Sequence, residues 1–178
     1  NYNIIKKRLE NNTITLEWKE AKNLTNDDML VYSIPKYEKN IESISEEDCY
    51  MYGILLGDGC INNSQEYGYI SLHTENKRYV VEFCEKYFTD NCVQYKVDIN
   101  DNTTRVRWSK NIVLPFRYGE IYTTEKEKYI HNKWLNLPIN KIQYIVKGLI
   151  DTDGCKHKEI VFDNTSRILI EGLRYLLL

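Results

Sequence analysis

Two Asp-Gly-Cys triplets are the residues best suited to chemistry, because each ends an apolar stretch of the same pattern. The acids are Asp58 and Asp153, and a glycine, Gly53 or Gly148, precedes each by the same number of residues. A match without insertions is an internal repeat. Isolated Asp-Gly pairs are common in turns, so either acid alone would be interpreted as a turn or capping residue. Two copies within matching patterns predict instead one site built from two carboxylates.

The elements that must position these acids are two helices packed against each other. Small residues stand four apart in each copy, Gly53 and Gly57 in the first and Gly148 and Thr152 in the second. Residues at this spacing share one face of a helix, and without bulky side chains a second backbone can approach that face closely. We therefore predict that Gly53, Gly57 and Gly148 are helix-packing residues.

The ends of these helices predict a cation site. Gly59 and Gly154 follow the acids and are expected to take the left-handed conformation that ends a helix, which puts Asp58 and Asp153 in the last turn. A carboxylate is unfavourable there, because the helix C-terminus carries partial negative charge and exposed carbonyls. Two such ends side by side offer hard oxygen ligands suited to Mg²⁺ or another divalent cation.

Residues 148–154, with the sequence GLIDTDG, resemble the signature of the LAGLIDADG homing endonucleases, and residues 53–59 resemble a weaker first copy. The resemblance implies an α+β fold of pseudo-symmetric αββαββα repeats, whose signature helices pack together and whose antiparallel strands form a saddle on duplex DNA. It also implies that Asp58 and Asp153 are metal-binding catalytic acids. Such an enzyme makes site-specific double-strand breaks in a long asymmetric DNA target by Mg²⁺-dependent phosphodiester hydrolysis.

Lys128 is the third candidate for the catalytic site. Residues 128–131, KYIH, resemble the family's Lys-x-Ile-Pro element, whose lysine lies near the active site and can polarise the attacking water or offset phosphate charge. His131 replaces the proline of that element. The alternative interpretation is an exposed lysine in the charged run 125–128. Asp151, whose counterpart in the first copy is apolar, is not assigned a catalytic role.

A basic β-hairpin is the candidate DNA-binding surface. The net charge is −2, but cations outnumber acids over residues 95–118, and distribution matters more than the sum. Residues 93–99 and 103–110 are predicted to pair across a turn. A β-ribbon fits the major groove, where Arg reads guanine edges and Lys mostly meets phosphate; a solvated strand face is the alternative. The candidate DNA contacts are Lys96, Arg105, Arg107 and Lys110 on the hairpin, with Tyr69, His73, Lys156 and Lys158 outside it.

The other elements follow the order that the resemblance implies. Ser45 precedes three acids and is the expected N-cap of the first signature helix. Alternation predicts a strand at 67–74, and helical spacing of apolar residues predicts a helix at 76–88. Further predicted elements are a short helix at 112–118 that Pro115 interrupts, a second signature helix from about Asn140, a strand at 156–162 and a helix at 166–178.

The N-terminal part of the chain predicts a separate, β-rich segment. Residues 13–18 alternate, and residues 29–35 form a strand stopped by proline. The segment resembles part of the splicing (Hint) domain of an intein, which implies a host protein that flanks the chain. The predicted organisation is a partial Hint segment at 1–37, a linker at 38–45, a first LAGLIDADG repeat at 46–136 and a second, incomplete repeat at 137–178.

Composition narrows the remaining classes. No run approaches the ~20 apolar residues that a membrane span needs, and the chain begins without Met or a signal-peptide core, so we expect an intracellular protein or one that begins mid-chain. Five cysteines without a Cys-x-x-Cys pair argue against a zinc site or disulfide framework, and we expect buried free thiols. The functional alternative is a nucleic-acid binder of the same fold that does not cut, such as a maturase or a degenerate endonuclease remnant.

Overall fold

The computed structural model describes residues 2–6, 15–30, 39–63, 67–109, 114–156 and 160–178, with the side chains of 2–6, 15–18, 29–30 and 156 excepted. The chain divides into two compact units, Asn1–Ile34 and Pro35–Leu178. No helix in these ranges combines the length and apolar character needed to cross a bilayer.

The first unit contains a three-stranded antiparallel sheet. Its strands are β1 (Tyr2–Lys6), β2 (Thr15–Lys19) and β3 (Met29–Leu30), in the order β2-β1-β3. The Asp28 carboxylate holds the β2–β3 connection, because it accepts hydrogen bonds from Lys19 Nζ at 2.6 Å and from the Thr25 N–H at 2.7 Å. These bonds lower the pKa of Asp28 to about 2. Residues 31–35 of the predicted second strand lie outside the described part of the chain.

The first helix of the second unit is α1 (Glu46–Gly57), and the predicted N-cap of this helix at Ser45 is confirmed. Ser45 Oγ accepts from the Asp48 N–H at 3.0 Å, and the Asp48 carboxylate accepts from the Ser45 N–H at 2.8 Å. This reciprocal capping box satisfies two N–H groups that the helix leaves unpaired. Asp48 is buried and also accepts from the Tyr87 hydroxyl at 2.5 Å, so the cap is fixed to the next helix.

A four-stranded antiparallel sheet follows α1. It comprises β4 (Gly59–Ile61), β5 (Tyr67–His73), β6 (Tyr95–Asn100) and β7 (Thr103–Ser109), in the order β4-β5-β7-β6. Helix α2 (Arg78–Asp90) connects β5 to β6 and packs on one face. Alternate side chains of β5 and β7, among them Ile70, Leu72 and Val106, are buried on that face. The predicted strand, helix and hairpin are therefore confirmed.

The chain then forms a second series of elements, in which a long helix is again followed directly by a short strand. These are α3 (Asn132–Leu135), α4 (Ile139–Asp153), the antiparallel pair β8 (Gly154–Lys156) and β9 (Ile160–Phe162), and α5 (Arg167–Leu176). The helices expected from about Asn140 and at 166–178 are confirmed. Part of the strand expected at 156–162 is present as β9, and residues 157–159 lie outside the described ranges.

Helix α1 is the centre of the core. Every residue from Asp48 to Leu56 is buried, as expected for a helix that is surrounded on all sides. Tyr52 stacks on the buried Trp134 with ring centroids 4.1 Å apart and an angle of 9° between the rings. The position of α1 therefore fixes where its C-terminal end, and the acid that follows it, must lie.

Two expectations, about the helix at 112–118 and about the burial of the cysteines, were wrong. The helix expected at 112–118 is absent from 114–117, and a single 3₁₀ turn lies at Tyr118–Glu120. Pro115 has no N–H to donate to a helix, and the Arg117 guanidinium instead donates to the Leu114 and Phe116 carbonyls. Among the cysteines, Cys49 and Cys84 are buried but Cys92 and Cys155 are exposed, so burial does not account for all of them.

Candidate active site and DNA interface

Helices α1 and α4 touch backbone to backbone at two glycines. A Cβ on Gly53 would lie 2.3 Å from the Ile145 carbonyl oxygen, and a Cβ on Gly148 would lie 2.5 Å from the Tyr50 carbonyl oxygen. Carbon atoms do not approach oxygens so closely, and both clashing atoms belong to backbone, which cannot swing aside as a side chain can. Only hydrogen fits at either position, so these glycines permit the close approach of the helices.

The same interface continues to the ends of both helices. A Cβ on Gly57 would lie 1.9 Å from Thr152 Oγ1 and 3.5 Å from Asp153 Cγ. The Thr152 hydroxyl is turned back into its own helix, where it donates to the Gly148 carbonyl at 2.8 Å. The carboxylate of the second repeat therefore lies beside Gly57, the residue that precedes Asp58.

The glycines that follow the acids act differently from the expectation. None of the described glycines has a positive φ, and Gly154 is extended, with φ −82° and ψ 143°. The left-handed termination predicted for Gly59 and Gly154 is therefore wrong. Steric space explains these glycines, because each strand starts directly from the last helical turn. A Cβ would lie 2.6 Å from Leu55 Cα in the first case and 2.4 Å from the Ile150 carbonyl oxygen in the second.

Asp58 faces a lysine that bridges the two repeats. Asp58 caps the C-terminus of α1, and its Oδ2 lies 2.7 Å from Lys77 Nζ. The same ammonium also donates to the carbonyl oxygen of Thr152, in the last turn of α4. The side chains of Asp58 and Lys77 are each 24% exposed. One cation thus joins the acid of the first repeat to a helix-terminal carbonyl of the second.

Lys128 contacts the end of α1. Its Nζ donates to the carbonyl oxygen of Gly57, in the last turn of α1. Burial lowers the pKa of Lys128, while the nearby negative charges of Asp153 and Asp58 act to raise it. In contrast to Lys126 and Glu127 beside it in the chain, Lys128 is half-buried, so it is not simply part of a solvated charged run.

Asp153 is partly buried beside an open cleft. Burial raises the pKa of Asp153, and the hydrogen bond from Asn164 opposes this increase. Asn164 Nδ2 lies 2.7 Å from Asp153 Oδ2. An open cleft of about 380 Å³ adjoins this point, and Lys128 and Asn164 both line it. The Ser166 hydroxyl donates to the Lys128 carbonyl at 2.6 Å, which fixes the segment that carries this lysine.

The oxygens at these two helix ends suit a divalent cation. They comprise the Asp58 and Asp153 carboxylates and the carbonyls of Gly57 and Thr152, and both carbonyls already accept hydrogen bonds from ammonium groups. Hard oxygen donors of this kind are the ligands that Mg²⁺ prefers. The described residues contain no cluster of three or more His, Cys, Asp or Glu that could hold a metal. The remaining ligands of an ion here would therefore be carbonyls, water or substrate oxygens.

The outer face of the β4–β7 sheet carries the described candidates for DNA contact. In the register of β5, β7 and β6, Tyr69 lies opposite Arg107 and Arg107 lies opposite Lys96. Side chains alternate between faces along a strand, so Arg105 and His73 share this surface. Lys110 and Lys158 lie outside the described residues, as does the side chain of Lys156. The predicted DNA contacts that lie on this face are Tyr69, His73, Lys96, Arg105 and Arg107.

The basic side chains on this face are held by their neighbours. Arg105 Cζ lies 5.0 Å from the centroid of the Tyr69 ring, and Arg105 Nε donates to Ser71 Oγ at 3.0 Å. Lys96 Nζ lies 2.9 Å from Asp98 Oδ1, and Arg107 pairs with the other oxygen of Asp98. A guanidinium over an aromatic face and an ion pair both restrict rotation, so the cations present a partly ordered array.

Sequence reasoning missed Lys77 and Asn164. Lys77 is the N-cap residue of α2. It reaches Asp58 because α2 packs against α1 and because the Ser71 N–H of β5 donates to the Asp58 carbonyl. No apolar period or signature marks it in the sequence. Asn164 lies in the turn before Ser166, the N-cap of α5, and an Asn before a Ser is ordinary turn chemistry.

Comparisons with protein sequences give one curated relative. No protein-family model matches the sequence. The ATP-dependent DNA helicase Hel308 of Methanocaldococcus jannaschii is 30% identical to the chain over 176 residues. The match covers 92% of this chain but 14% of the helicase, so the chain spans only a small part of the curated relative that it matches.

Solved structures of the homing endonuclease I-DmoI have the same architecture. A structure of its mesophilic variants matches with a TM-score of 0.55 at 16% identity, and the match covers 76% of this chain and 78% of that one. Its complex with DNA and Ca also gives 0.55 at 16% identity, over 76% of this chain and 73% of the I-DmoI chain. A complex with DNA and Mn gives 0.54, with 16% identity, 76% of this chain and 78% of its own. The fold is therefore α+β with αββα elements, as in the LAGLIDADG domain of I-DmoI, and the predicted fold class is confirmed. This is the fold of a metal-dependent DNA endonuclease.

Proposed function

We propose that the chain is a site-specific homing endonuclease, which makes double-strand breaks in a long asymmetric DNA target by metal-dependent hydrolysis. The observation that carries this proposal is the set of two acids, two helix-terminal carbonyls and two lysines at the ends of α1 and α4. Lys77 links Asp58 to the Thr152 carbonyl, while Lys128 donates to the Gly57 carbonyl beside Asp153. Acid and carbonyl oxygens from both repeats thus converge on one small region, where cations are already held.

In this proposal each residue has a defined role. Asp58 and Asp153, with the Gly57 and Thr152 carbonyls, would hold Mg²⁺ or another divalent cation. Such ions, when bound, stabilise charge at the phosphodiester and activate the attacking water. Lys128 offsets negative charge on the phosphate or polarises the water, and partial burial strengthens its field. Because one acid comes from each repeat, each can serve one strand of the duplex.

The outer face of the sheet would bind the DNA. Arg105 and Arg107 can donate two parallel hydrogen bonds to a guanine edge in the major groove, and Lys96 is suited to phosphate. Tyr69 holds Arg105 in place, and His73 lies at the end of the same face. Lys110, Lys156 and Lys158 remain proposed contacts from the sequence alone.

We further propose that the endonuclease is part of an intein, present in the cell wherever its host protein acts. The similarity to a small part of a DNA helicase supports this, because an insertion within a helicase-like host would produce such a match. The separate β unit at Asn1–Ile34 is consistent with a partial Hint segment at 1–37. The linker at 38–45 and the repeats at 46–136 and 137–178 complete this organisation.

The alternative is a binder of the same fold that does not cut, either a maturase or a degenerate endonuclease remnant. The contact between Lys77 and Asp58 favours it, because the acid already has a cationic partner without a metal. Both alternatives require the sheet to bind nucleic acid. They differ in whether Asp58 and Asp153 contribute to a chemical step.

Plasmid cleavage distinguishes the two. The substrate would carry the host-gene sequence with the insert removed, incubated with Mg²⁺ and the full chain. Under the endonuclease proposal, double-strand cutting is lost in Asp58→Asn and in Asp153→Asn, whereas Asp151→Asn, in the same helix as Asp153, still cuts. Tight binding without cutting, unaffected by either substitution, would replace the endonuclease with the non-cleaving alternative.

A further inference from the structure

A single carboxylate lies on the candidate DNA-binding face. Within the described ranges of the four strands β4 to β7, Asp98 is the only acidic residue. It occupies the middle of β6, directly opposite Arg105 in the register of the hairpin. An acid at the centre of a surface proposed to bind DNA weakens that binding, because carboxylate and phosphate repel each other. Its presence there calls for an explanation.

Asp98 pairs with two of the three cations on the described part of the hairpin. Its Oδ1 lies 2.9 Å from Lys96 Nζ, and its Oδ2 accepts from Arg107 Nη2. The hydrogen bond from Lys96 and, to a smaller extent, that from Arg107 lower the pKa of Asp98, so the carboxylate is charged at neutral pH. Arg105 is engaged elsewhere, by Ser71 and by the Tyr69 ring. The acid therefore neutralises Lys96 and Arg107, and among the described cations of the hairpin it leaves Arg105 without a carboxylate partner.

The pairs affect two modes of DNA binding unequally. A sequence-independent contact needs cations for phosphate, and to use Lys96 or Arg107 the duplex must break an ion pair and bring phosphate close to Asp98. A base-edge contact does not have that cost. Arg107 has five N–H donors, so one can stay bonded to Asp98 while other N–H groups of the same guanidinium donate to a guanine edge. The bond to Asp98 also fixes the direction in which the guanidinium points. A repulsive group of this kind raises selectivity by weakening the wrong complex.

We propose that Asp98 is a specificity-determining residue, which suppresses sequence-independent DNA binding by masking Lys96 and Arg107. This inference depends on the DNA binding proposed above and adds to it a named group that acts against the wrong sequences. Asp98 contacts no catalytic residue in the described structure, so its effect concerns where the protein binds and not the chemical step.

The test measures the affinity of the full chain for a duplex of random sequence over a range of salt concentrations. Asp98→Asn removes the carboxylate and keeps the shape. The variant is expected to bind about two- to tenfold tighter at low salt, since exposed ion pairs of this type have small energies. The slope of log affinity against log salt should steepen by about one, because one or more further phosphates are neutralised.

Asp101→Asn is the matched control. It makes the same change in net charge on the same hairpin, at a turn residue with φ 51°, a conformation that Asn tolerates as well as Asp does. No cation pairs with Asp101 within the described part of the chain. Asp98→Glu keeps the charge and is expected to bind like the unmodified chain. Thermal unfolding of each variant verifies that it is folded.

The outcomes separate this inference from the function on which it depends. Tighter random-sequence binding by Asp98→Asn, well beyond that of Asp101→Asn, supports it. Equal shifts in both variants would show that only net charge matters and would overturn it, while DNA binding itself stood. If neither the unmodified chain nor any variant bound duplex DNA, the proposed function and this inference would both be overturned.

Discussion

Lys77 Nζ lies 2.7 Å from Asp58 Oδ2 and also donates to the carbonyl oxygen of Thr152, so one ammonium spans the ends of both signature helices. An acid at a helix C-terminus is unfavourable without a cation. The chain supplies part of that compensation itself. If the site binds a divalent ion as proposed, an ion that used the same oxygens would displace the ammonium, and metal binding would then be coupled to folding stability.

Replacement of Lys77 should expose this coupling. Without metal, Lys77→Met leaves a half-buried carboxylate without its partner, and we expect the free energy of unfolding to fall by about 1–3 kcal/mol. Addition of Mg²⁺ should restore more stability to the variant than to the unmodified chain. Urea unfolding in EDTA and in Mg²⁺ measures both. Lys86→Met is the control, because its pair with Asp90 on the same helix is exposed; an equal loss in both variants would contradict the bridging role.

The glycine contact between α1 and α4 predicts a large effect from a single methyl group. Gly53→Ala or Gly148→Ala should lower the free energy of unfolding by about 3 kcal/mol or more, because the added Cβ meets backbone. This loss exceeds the gain of about 1 kcal/mol that Ala has over Gly in a helix. Gly119→Ala is the matched control, since a Cβ there meets nothing within 4 Å. Similar urea midpoints for all three variants would contradict the contact.

Asp153 predicts a pH dependence of stability. Burial raises its pKa, so the folded protein holds this proton more tightly than the unfolded chain. Asp153 therefore contributes most to stability at low pH, and that contribution is lost as pH rises from about 4 through the raised pKa. Asp153→Asn removes the titration and keeps an acceptor for Asn164. Relative to the unmodified chain in EDTA, the variant should become steadily more stable across this window.

Urea unfolding of both proteins at closely spaced pH values provides the measurement. Mg²⁺ should reduce the difference at the upper end of the window, because an ion stabilises the charged carboxylate. A difference in unfolding free energy that stays constant with pH would show that the environment of Asp153 does not disfavour its charge.

Lys128 and Lys126 allow a paired test of the proposed chemistry. Both line the cleft near Asp153, but Lys128 is half-buried and bonded to the Gly57 carbonyl, while Lys126 is exposed. Lys128→Met should slow DNA cleavage by about a hundredfold or more, with little change in DNA affinity. Lys126→Met should leave the cleavage rate nearly unchanged. Equal rate losses would point instead to general attraction of phosphate by the cleft.

The sequence was informative where a local pattern and the tertiary structure agree. The repeat located Asp58 and Asp153 at helix ends, and alternation located the hairpin that carries Arg105 and Arg107. These features depend on short-range periodicity, which survives in a single sequence. The start of α1 at Ser45 was predictable for the same reason, since a capping box lies within four residues.

What the sequence could not supply depends on contacts between distant segments. Lys77 reaches Asp58 only after α2 packs against α1, and no spacing rule encodes that. The glycines after the acids were assigned to left-handed termination, the commonest use of Gly at a helix end, whereas steric clearance against Leu55 and Ile150 is what requires them. At 114–117, where a short helix was expected, Pro115 lacks an N–H and the Arg117 side chain donates to the backbone carbonyls instead.

The lysine contacts at the ends of α1 and α4 have a consequence for a chain that is only partly folded. Asp58, Lys77, Lys128 and the Gly57 carbonyl all belong to the first repeat, whereas Asp153 and the Thr152 carbonyl belong to the second. A molecule in which only the first repeat has folded therefore lacks half of the oxygens proposed to bind the ion. Under the proposed function, DNA cleavage would depend on completion of the fold, so that an unfinished molecule would not cut the DNA of its host.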